Sequence, residues 1–140
     1  MSVNISTLVS AVNDHDLDRM MALFHPNYRS IHPSHPARAF VGSAQVRANW
    51  TAMFEGIPDF RMELGRVAQD GETTWCEWTW SGTRTDGLPF ETCGVVIFES
   101  QGHVIIVGTF YMDDVETDGA GIDQTVQGMS GRLPEDGAGS

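Results

Sequence analysis

The sequence predicts an α+β domain in which helices come first and a long antiparallel sheet follows. Up to about residue 54, apolar residues recur three and four positions apart, the spacing of amphipathic helices. From about residue 60 the chain carries four segments rich in Val, Ile, Thr and Trp, separated by short glycine-containing turns. This order predicts a bent sheet that wraps around three N-terminal helices.

Three apolar stripes mark the predicted helices. The first stripe consists of Ile5, Leu8, Val9 and Val12. The second consists of Leu17, Met20, Met21 and Phe24, and it should end before Pro26, since proline disfavours a helical residue ahead of it. The third consists of Val46, Trp50, Met53 and Phe54, with Ser43 as the predicted N-cap and Gly56 and Pro58 as the stop.

The predicted sheet is a four-stranded meander. Its segments are "FRMELGRVA", "TTWCEWTWSGT", "FETCGVVIFE" and "HVIIVGTFYM". In the second segment Cys76, Trp78 and Trp80 share one face, and Trp75 and Glu77 share the other. Because both faces carry tryptophan, alternation leaves open which one is internal.

The length of 140 residues predicts one domain over residues 1–115 and a tail over 116–140. Residues 113–140 carry seven acidic residues, one arginine and six glycines, a composition typical of an extended or mobile segment. Within this tail, "GIDQTVQGM" is compatible with a short helix.

Composition excludes several functional classes. A net charge of -11 argues against nucleic acid as a partner, because phosphates need a positive surface. All eight basic residues are arginine, so Schiff-base chemistry and a phosphate-loop lysine are excluded. No apolar run approaches the roughly 20 residues that span a bilayer, and the N-terminus lacks signal-peptide features, so we expect a cytoplasmic protein without membrane attachment. Cys76 and Cys93 are therefore expected to be buried thiols rather than a disulfide.

Element order and several diffuse motifs resemble the SnoaL-like branch of the nuclear transport factor 2-like superfamily. The motifs are "DLDRMMALFHPNY", "HP", "FVG", "WTWSGT", "DG" and "FYMDD", and the resemblance covers about residues 3–115. That superfamily also contains ketosteroid isomerase, limonene epoxide hydrolase and scytalone dehydratase. The resemblance implies a cone-shaped α+β barrel around a deep apolar pocket, a homodimer through the outer faces of the sheets, and no cofactor.

The resemblance implies proton-transfer chemistry on a hydrophobic small molecule such as a polyketide or terpenoid. Isomerisation, cyclisation, dehydration and epoxide hydrolysis all need a general base, an acid or oxyanion donor, and a dry pocket. The alternative is a non-catalytic small-molecule-binding or dimerisation domain of the same fold.

The segment "YRSIHP" carries the predicted catalytic residues. The resemblance places His32 where ketosteroid isomerase has its aspartate base. If residues 28–32 are extended, Tyr28, Ser30 and His32 project to the same side. An imidazole with a pKa near its usual value of about 6.5 can both accept and return a proton. We expect Tyr28 or Tyr111 to be the hydrogen-bond donor.

Other family positions are not retained. The oxyanion tyrosine of ketosteroid isomerase aligns with Leu8, and its protonated aspartate falls near Gly94. The acid–base aspartate of SnoaL-type cyclases aligns with Thr109, with Tyr111 and Asp113 further along the same face. A ketosteroid isomerase mechanism is therefore not expected.

The remaining predictions concern the pocket lining. Glu77 either lies in the pocket, where burial would raise its pKa, or faces outward. His32 and His35 lack a spaced third ligand, so no metal site is predicted. The predicted substrate-binding residues are His35, Trp50, Phe54, Glu77, Trp78, Trp80, Thr109, Phe110 and Asp113.

Overall fold

The computed structural model describes residues 4–131, which form helices, a 3-10 turn and six strands. The α-helices are α1 (Ile5–Asn13), α2 (Leu17–Met21), α3 (Ser43–Gly56) and α4 (Ile122–Met129), and the 3-10 turn is Pro36–Arg38. The strands are β1 (Phe24–Ile31), β2 (Phe40–Val41), β3 (Arg61–Asp70), β4 (Thr73–Thr83), β5 (Pro89–Gln101) and β6 (Val104–Asp114).

The strands form one curved, unclosed sheet in the order β2-β1-β6-β5-β4-β3. β1 runs parallel to β6, and every other neighbouring pair is antiparallel. Apolar residues of α1, α2 and α3 form one core with the inner face of the sheet. The predicted α+β fold class and the four-stranded meander, now β3 to β6, are confirmed.

The segment between the second and third helices contributes two strands that the sequence pattern does not predict. The predicted second helix extends to Phe24, but α2 ends at Met21. Phe24 already belongs to β1, and the Leu23 carbonyl accepts a hydrogen bond of 2.7 Å from the Ile105 amide of β6. Pairing with the last strand therefore overrides the helical spacing of this stretch.

The inner face of β4 is the one that carries Cys76, Trp78 and Trp80. Cys76 and Trp78 are buried, whereas Trp75 on the other face is 39% exposed. Burial raises the pKa of the Cys76 thiol to about 12, so this thiol is unreactive. The expectation for Cys93 is wrong, because this residue is exposed; both cysteines are free thiols.

Two polar side chains connect the helices to the sheet. The Asn13 side chain accepts a hydrogen bond from the Met62 amide (2.7 Å) and donates one to the Met62 carbonyl (2.9 Å). His15 has a φ of 53° and bonds the Phe60 carbonyl at 2.9 Å. The three bonds attach the end of α1 to β3 and the residues before it.

α3 differs from its prediction at its start. The N-cap is Gly42 with a φ of 107°, a backbone conformation that suits glycine, and Ser43 is the first helical residue. No side chain caps this helix. Its end at Gly56 agrees with the prediction.

The tail is described only as far as residue 131. The segment predicted as compatible with a helix forms α4, none of whose residues is buried. The rest of the predicted tail, residues 132–140, lies outside the described residues. Within residues 4–131 no helix is long and apolar enough to cross a membrane.

Candidate functional site

A cavity of about 680 Å³ lies between the helices and the inner face of the sheet. This volume falls in the range of sites that take small organic molecules. Its apolar lining consists of Leu8, Met20, Phe24, Phe40, Val46, Trp50, Ala52, Met53, Trp78, Trp80, Phe90, Phe98, Phe110 and Met112. Its polar lining consists of Tyr28, Ser30, His32, Arg38, Gln45, Asn49, Thr92, Asp113 and Asp114.

His32, directly after β1, lines the cavity. Its ring stacks on Phe110 with centroids 4.9 Å apart, and its Nε2 shares a hydrogen bond of 2.9 Å with the Ser30 hydroxyl. Within residues 4–131 no group bonds Nδ1. Burial lowers the pKa of His32 from its usual value, and the charges of Arg38 and His35 lower it further. The imidazole is therefore neutral near pH 7 and able to accept a proton.

Tyr28 lies on the same wall and keeps its proton. Its side chain is only 2% exposed, and burial raises its pKa to about 12, while a hydrogen bond with Ser30 partly opposes this shift. Gly108 makes room for the phenol, because a Cβ at that position would lie 2.3 Å from the Tyr28 hydroxyl. The extended backbone of β1 thus directs Tyr28, Ser30 and His32 to one cavity wall, as the sequence predicts.

An aromatic wall faces these polar groups. Trp50 of α3 meets Trp80 edge to face at a centroid distance of 5.2 Å, and Trp78 lies beside Trp80 at 5.6 Å. The Trp78 indole N–H lies 2.8 Å from the Met112 sulfur, to which it donates. The buried Trp80 indole N–H has no hydrogen-bond partner in the described part of the chain. These predicted pocket residues line the cavity together with Phe110, and their contact with a ligand stays a prediction.

The mouth of the cavity is charged. Asp113 and Asp114, at the end of β6, line it together with Arg38 of the 3-10 turn. The Thr92 hydroxyl donates to an Asp114 oxygen at 3.0 Å, and the His35 Nε2 lies 3.6 Å from an Asp113 oxygen. Asp113 is thus placed at the mouth as predicted, and its role stays a prediction.

Sequence reasoning missed Arg38, Thr92 and Asp114. Alternation along β6 contains a usable signal for Asp114, since it shares a face with Phe110 and Met112. Arg38 lies in an irregular segment without periodicity, and no sequence signal points to it.

Three predicted site residues lie on the outer face of the sheet instead. Thr109 and Tyr111 alternate with the inward-facing Phe110, and Tyr111 is 48% exposed. Glu77 accepts two hydrogen bonds of 2.6 Å from the Arg66 guanidinium, which lowers the pKa of Glu77. The pocket positions predicted for Thr109 and Tyr111 are wrong, because a shift of one residue along a strand reverses the face. For Glu77, the outward-facing alternative is the one observed.

Two further predicted residues border the cavity without lining it. Phe54 stacks on His15 with centroids 4.2 Å apart and contacts Phe60. Phe54 lies one turn beyond Trp50 on the same face of α3, and there it meets the end of α1 rather than the cavity. His35 does not line the cavity, but it contacts Asp113 beside the mouth.

No metal centre competes with this site. Among residues 4–131 no group of three or more His, Cys, Asp or Glu side chains is arranged to hold a metal ion.

A curved sheet and helices around an apolar cavity define the class of nuclear transport factor 2-like cone folds. The chain belongs to the SnoaL-like domain family, whose model matches residues 5–107. No curated protein matches the chain significantly.

Several solved structures share the fold at low sequence identity. Wild-type IdmH, a putative polyketide cyclase from Streptomyces antibioticus, is 18% identical with a TM-score of 0.66 over 79% of this chain and 88% of its own. A putative SnoaL-like polyketide cyclase from Jannaschia sp. CCS1 is 20% identical with a TM-score of 0.66, over 78% and 82%. A hypothetical protein with a ketosteroid isomerase-like fold from Catenulispora acidiphila, in complex with trimethylamine, is 12% identical with a TM-score of 0.65, over 80% and 83%.

Proposed function

We propose that this protein is a cofactor-independent acid–base enzyme that acts on a hydrophobic small molecule, with His32 as the general base. The observation that carries the proposal is the imidazole of His32, held by Ser30 and Phe110 in the wall of an apolar cavity, where burial lowers its pKa. A base that is unprotonated near neutrality in a largely apolar cavity is suited to removing a proton from a carbon acid.

The chemistry assigned to the site is a proton shuttle. His32 takes a proton from the carbon beside a substrate carbonyl, and the electron pair of that C–H bond becomes an enolate. The imidazolium then returns the proton at another atom of the substrate, which completes an isomerisation or accompanies ring closure. Tyr28, protonated at all physiological pH values, supplies a hydrogen-bond donor on the same wall.

Membership of the SnoaL-like family and two neighbours described as putative polyketide cyclases support a polyketide-like substrate and a cyclase or isomerase reaction. The second candidate is a non-catalytic small-molecule-binding domain. The trimethylamine complex of one neighbour favours it, and so does the lack of a second titratable group within hydrogen-bond distance of His32 in the described residues. An assay of catalysis distinguishes the acid–base enzyme from the non-catalytic binding domain.

Deuterium exchange tests the proposal without knowledge of the final product. The protein is incubated in D₂O with a panel of aromatic β-diketones and cyclic terpenoid ketones, and incorporation at carbon is followed by mass spectrometry. Enzyme-dependent exchange on at least one compound is the expected result. Binding of panel compounds without any exchange would favour the binding domain.

The pH profile follows from the pKa of His32. Because burial lowers this pKa below about 6.5, the basic form persists into mildly acidic solution and is lost only as the pH falls through the lowered value. We expect the acidic limb of kcat/KM for the exchange reaction to lie below pH 6.5. A limb above that value would contradict the assignment of His32.

We also propose that the protein forms a homodimer through the outer face of the sheet. Trp75 opposes Ile97 on this face and Val95 opposes Tyr111. Trp75 is 39% and Tyr111 48% exposed. Such an apolar patch is typical of an interface between subunits.

Light scattering after size exclusion checks the dimer. The protein is expected at about twice its chain mass of 15.4 kDa, and Trp75→Arg is expected to shift it to the monomer, because the added charge would be buried against a second sheet. Val41→Arg is the matched control, since Val41 is equally apolar and 66% exposed but lies on the edge strand β2. A monomeric parent protein, or dissociation by both variants, would contradict this interface.

A further inference from the structure

Arg38 differs from most other arginines of the described chain because its guanidinium forms no ion pair there. Arg38 lines the cavity, yet no carboxylate lies within 4.0 Å of it in residues 4–131, although Asp113 and Asp114 line the same mouth. Four other arginines form ion pairs: Arg19 with Asp14, Arg47 with Asp18, Arg66 with Glu77, and Arg84 with Asp86.

Neither aspartate of the mouth forms an ion pair with Arg38. Asp114 accepts a hydrogen bond from the buried Thr92 hydroxyl at 3.0 Å, and an Asp113 oxygen lies 3.6 Å from the His35 Nε2, beyond hydrogen-bond distance. Among residues 4–131 the charge of Arg38 is thus without a counter-ion, at the opening of a cavity whose inner wall is apolar.

The field of Arg38 reaches the proposed base. Its positive charge contributes to the lowered pKa of His32, and both groups line the same cavity. The same charge stabilises a negative charge that is present or develops on a molecule in the cavity beside it.

We propose that the ligand of this cavity is an amphiphile with an anionic oxygen group, a carboxylate or the enolate of a 1,3-dicarbonyl, which the guanidinium of Arg38 binds at the mouth. Both groups present two oxygens that match the paired N–H donors of arginine. The apolar body of the ligand then lies against Trp50, Trp78 and Trp80. The inference rests on the proposed function for the location of the site, and it names the substrate class and a second residue for that site.

A pair of dyes that differ by one anionic group tests this inference in the full chain. The dyes are 8-anilinonaphthalene-1-sulfonate and the uncharged N-phenyl-1-naphthylamine, and their affinities are measured by fluorescence titration at low ionic strength. We expect Arg38→Gln to weaken binding of the sulfonate dye roughly ten- to hundredfold, because a charge-assisted contact is lost. The uncharged dye should bind both proteins equally.

Three further variants show whether charge and location are responsible. Arg38→Lys should retain part of the preference for the sulfonate, since it keeps the charge and loses the paired donors. Asp114→Asn should strengthen binding of the sulfonate, because it removes a nearby negative charge. Ala52→Trp, which places a large ring in the lining, should weaken binding of both dyes.

The inference is overturned if the parent protein does not prefer the sulfonate dye, if Arg38→Gln affects both dyes equally, or if Ala52→Trp affects neither. This outcome is independent of catalysis, which the deuterium-exchange assay measures separately. If His32→Gln loses deuterium exchange while Arg38→Gln keeps the parent's preference for the sulfonate dye, the proposed function is retained and the role of Arg38 is rejected. If the parent protein prefers the sulfonate dye but catalyses no deuterium exchange, the role of Arg38 is retained and the proposed function is rejected.

Discussion

Replacement of His32 by glutamine is expected to lower the turnover of the exchange reaction by about 10²- to 10⁴-fold, the range of a lost general base. Glutamine keeps a hydrogen-bonding group for the Ser30 hydroxyl but cannot accept a proton near neutrality. Turnover is measured as the initial rate of deuterium incorporation with saturating substrate, and circular dichroism and thermal unfolding establish that the variant folds.

His103→Gln is the matched control for this variant. His103 is exposed and lies in the turn between β5 and β6, away from the cavity lining. We expect it to retain full activity. If His32→Gln turns over substrate as fast as the parent, or if both variants lose activity alike, His32 is not the base.

Replacement of Gly94 by alanine is expected to lower the free energy of unfolding by about 3 kcal/mol or more, from backbone strain and overpacking together. Gly94 has a φ of 153°, and a Cβ there would lie 2.1 Å from the Tyr111 carbonyl oxygen and 2.8 Å from the Met112 Cα. Both atoms belong to the backbone of β6, so the two strands must separate to accommodate a methyl group.

Urea unfolding followed by tryptophan fluorescence measures this effect. Gly56→Ala at the end of α3 is the control, because a Cβ there meets nothing within 4 Å. It should change the free energy of unfolding by less than about 1 kcal/mol. Equal stability of Gly94→Ala and the parent would show that β5 and β6 are further apart than the structure indicates.

The close contact at Gly94 also bears on the mechanism. The resemblance to ketosteroid isomerase places that enzyme's protonated aspartate near this position, and Leu8 replaces its oxyanion tyrosine. In this chain no side chain fits at Gly94, so a donor to a developing oxyanion must come from another element. Tyr28 and Arg38 are two of the hydrogen-bond donors in the cavity lining.

The fold was predictable because its local signals agree with one another. β4 coincides with the predicted segment, and α1 and the end of α3 lie where apolar spacing and glycine indicate. Strand alternation also predicts that Tyr28, Ser30 and His32 share one side. These features depend on the period of a helix or strand, which the order of residues alone contains.

The errors share one cause, which is that pairing partners distant in sequence decide the outcome. Phe24 fits the apolar spacing of a helix, but it pairs with Ile105 at the edge of β6 and therefore belongs to β1. Thr109 aligns with a catalytic position and Tyr111 follows it on the same face, but the pairing of β6 with its neighbours turns Phe110 inward instead.

The order of residues alone predicts the α+β class, the acidic character, the family and the candidate base His32. Contacts in the folded chain establish which face of β4 is internal, that Glu77 pairs with Arg66, and that Arg38 lies at the cavity mouth without a carboxylate partner among the described residues. Periodicity is a local property that fixes which residues share a face. Which face meets the core, and which charges meet each other, depends on contacts between strands and turns far apart along the chain.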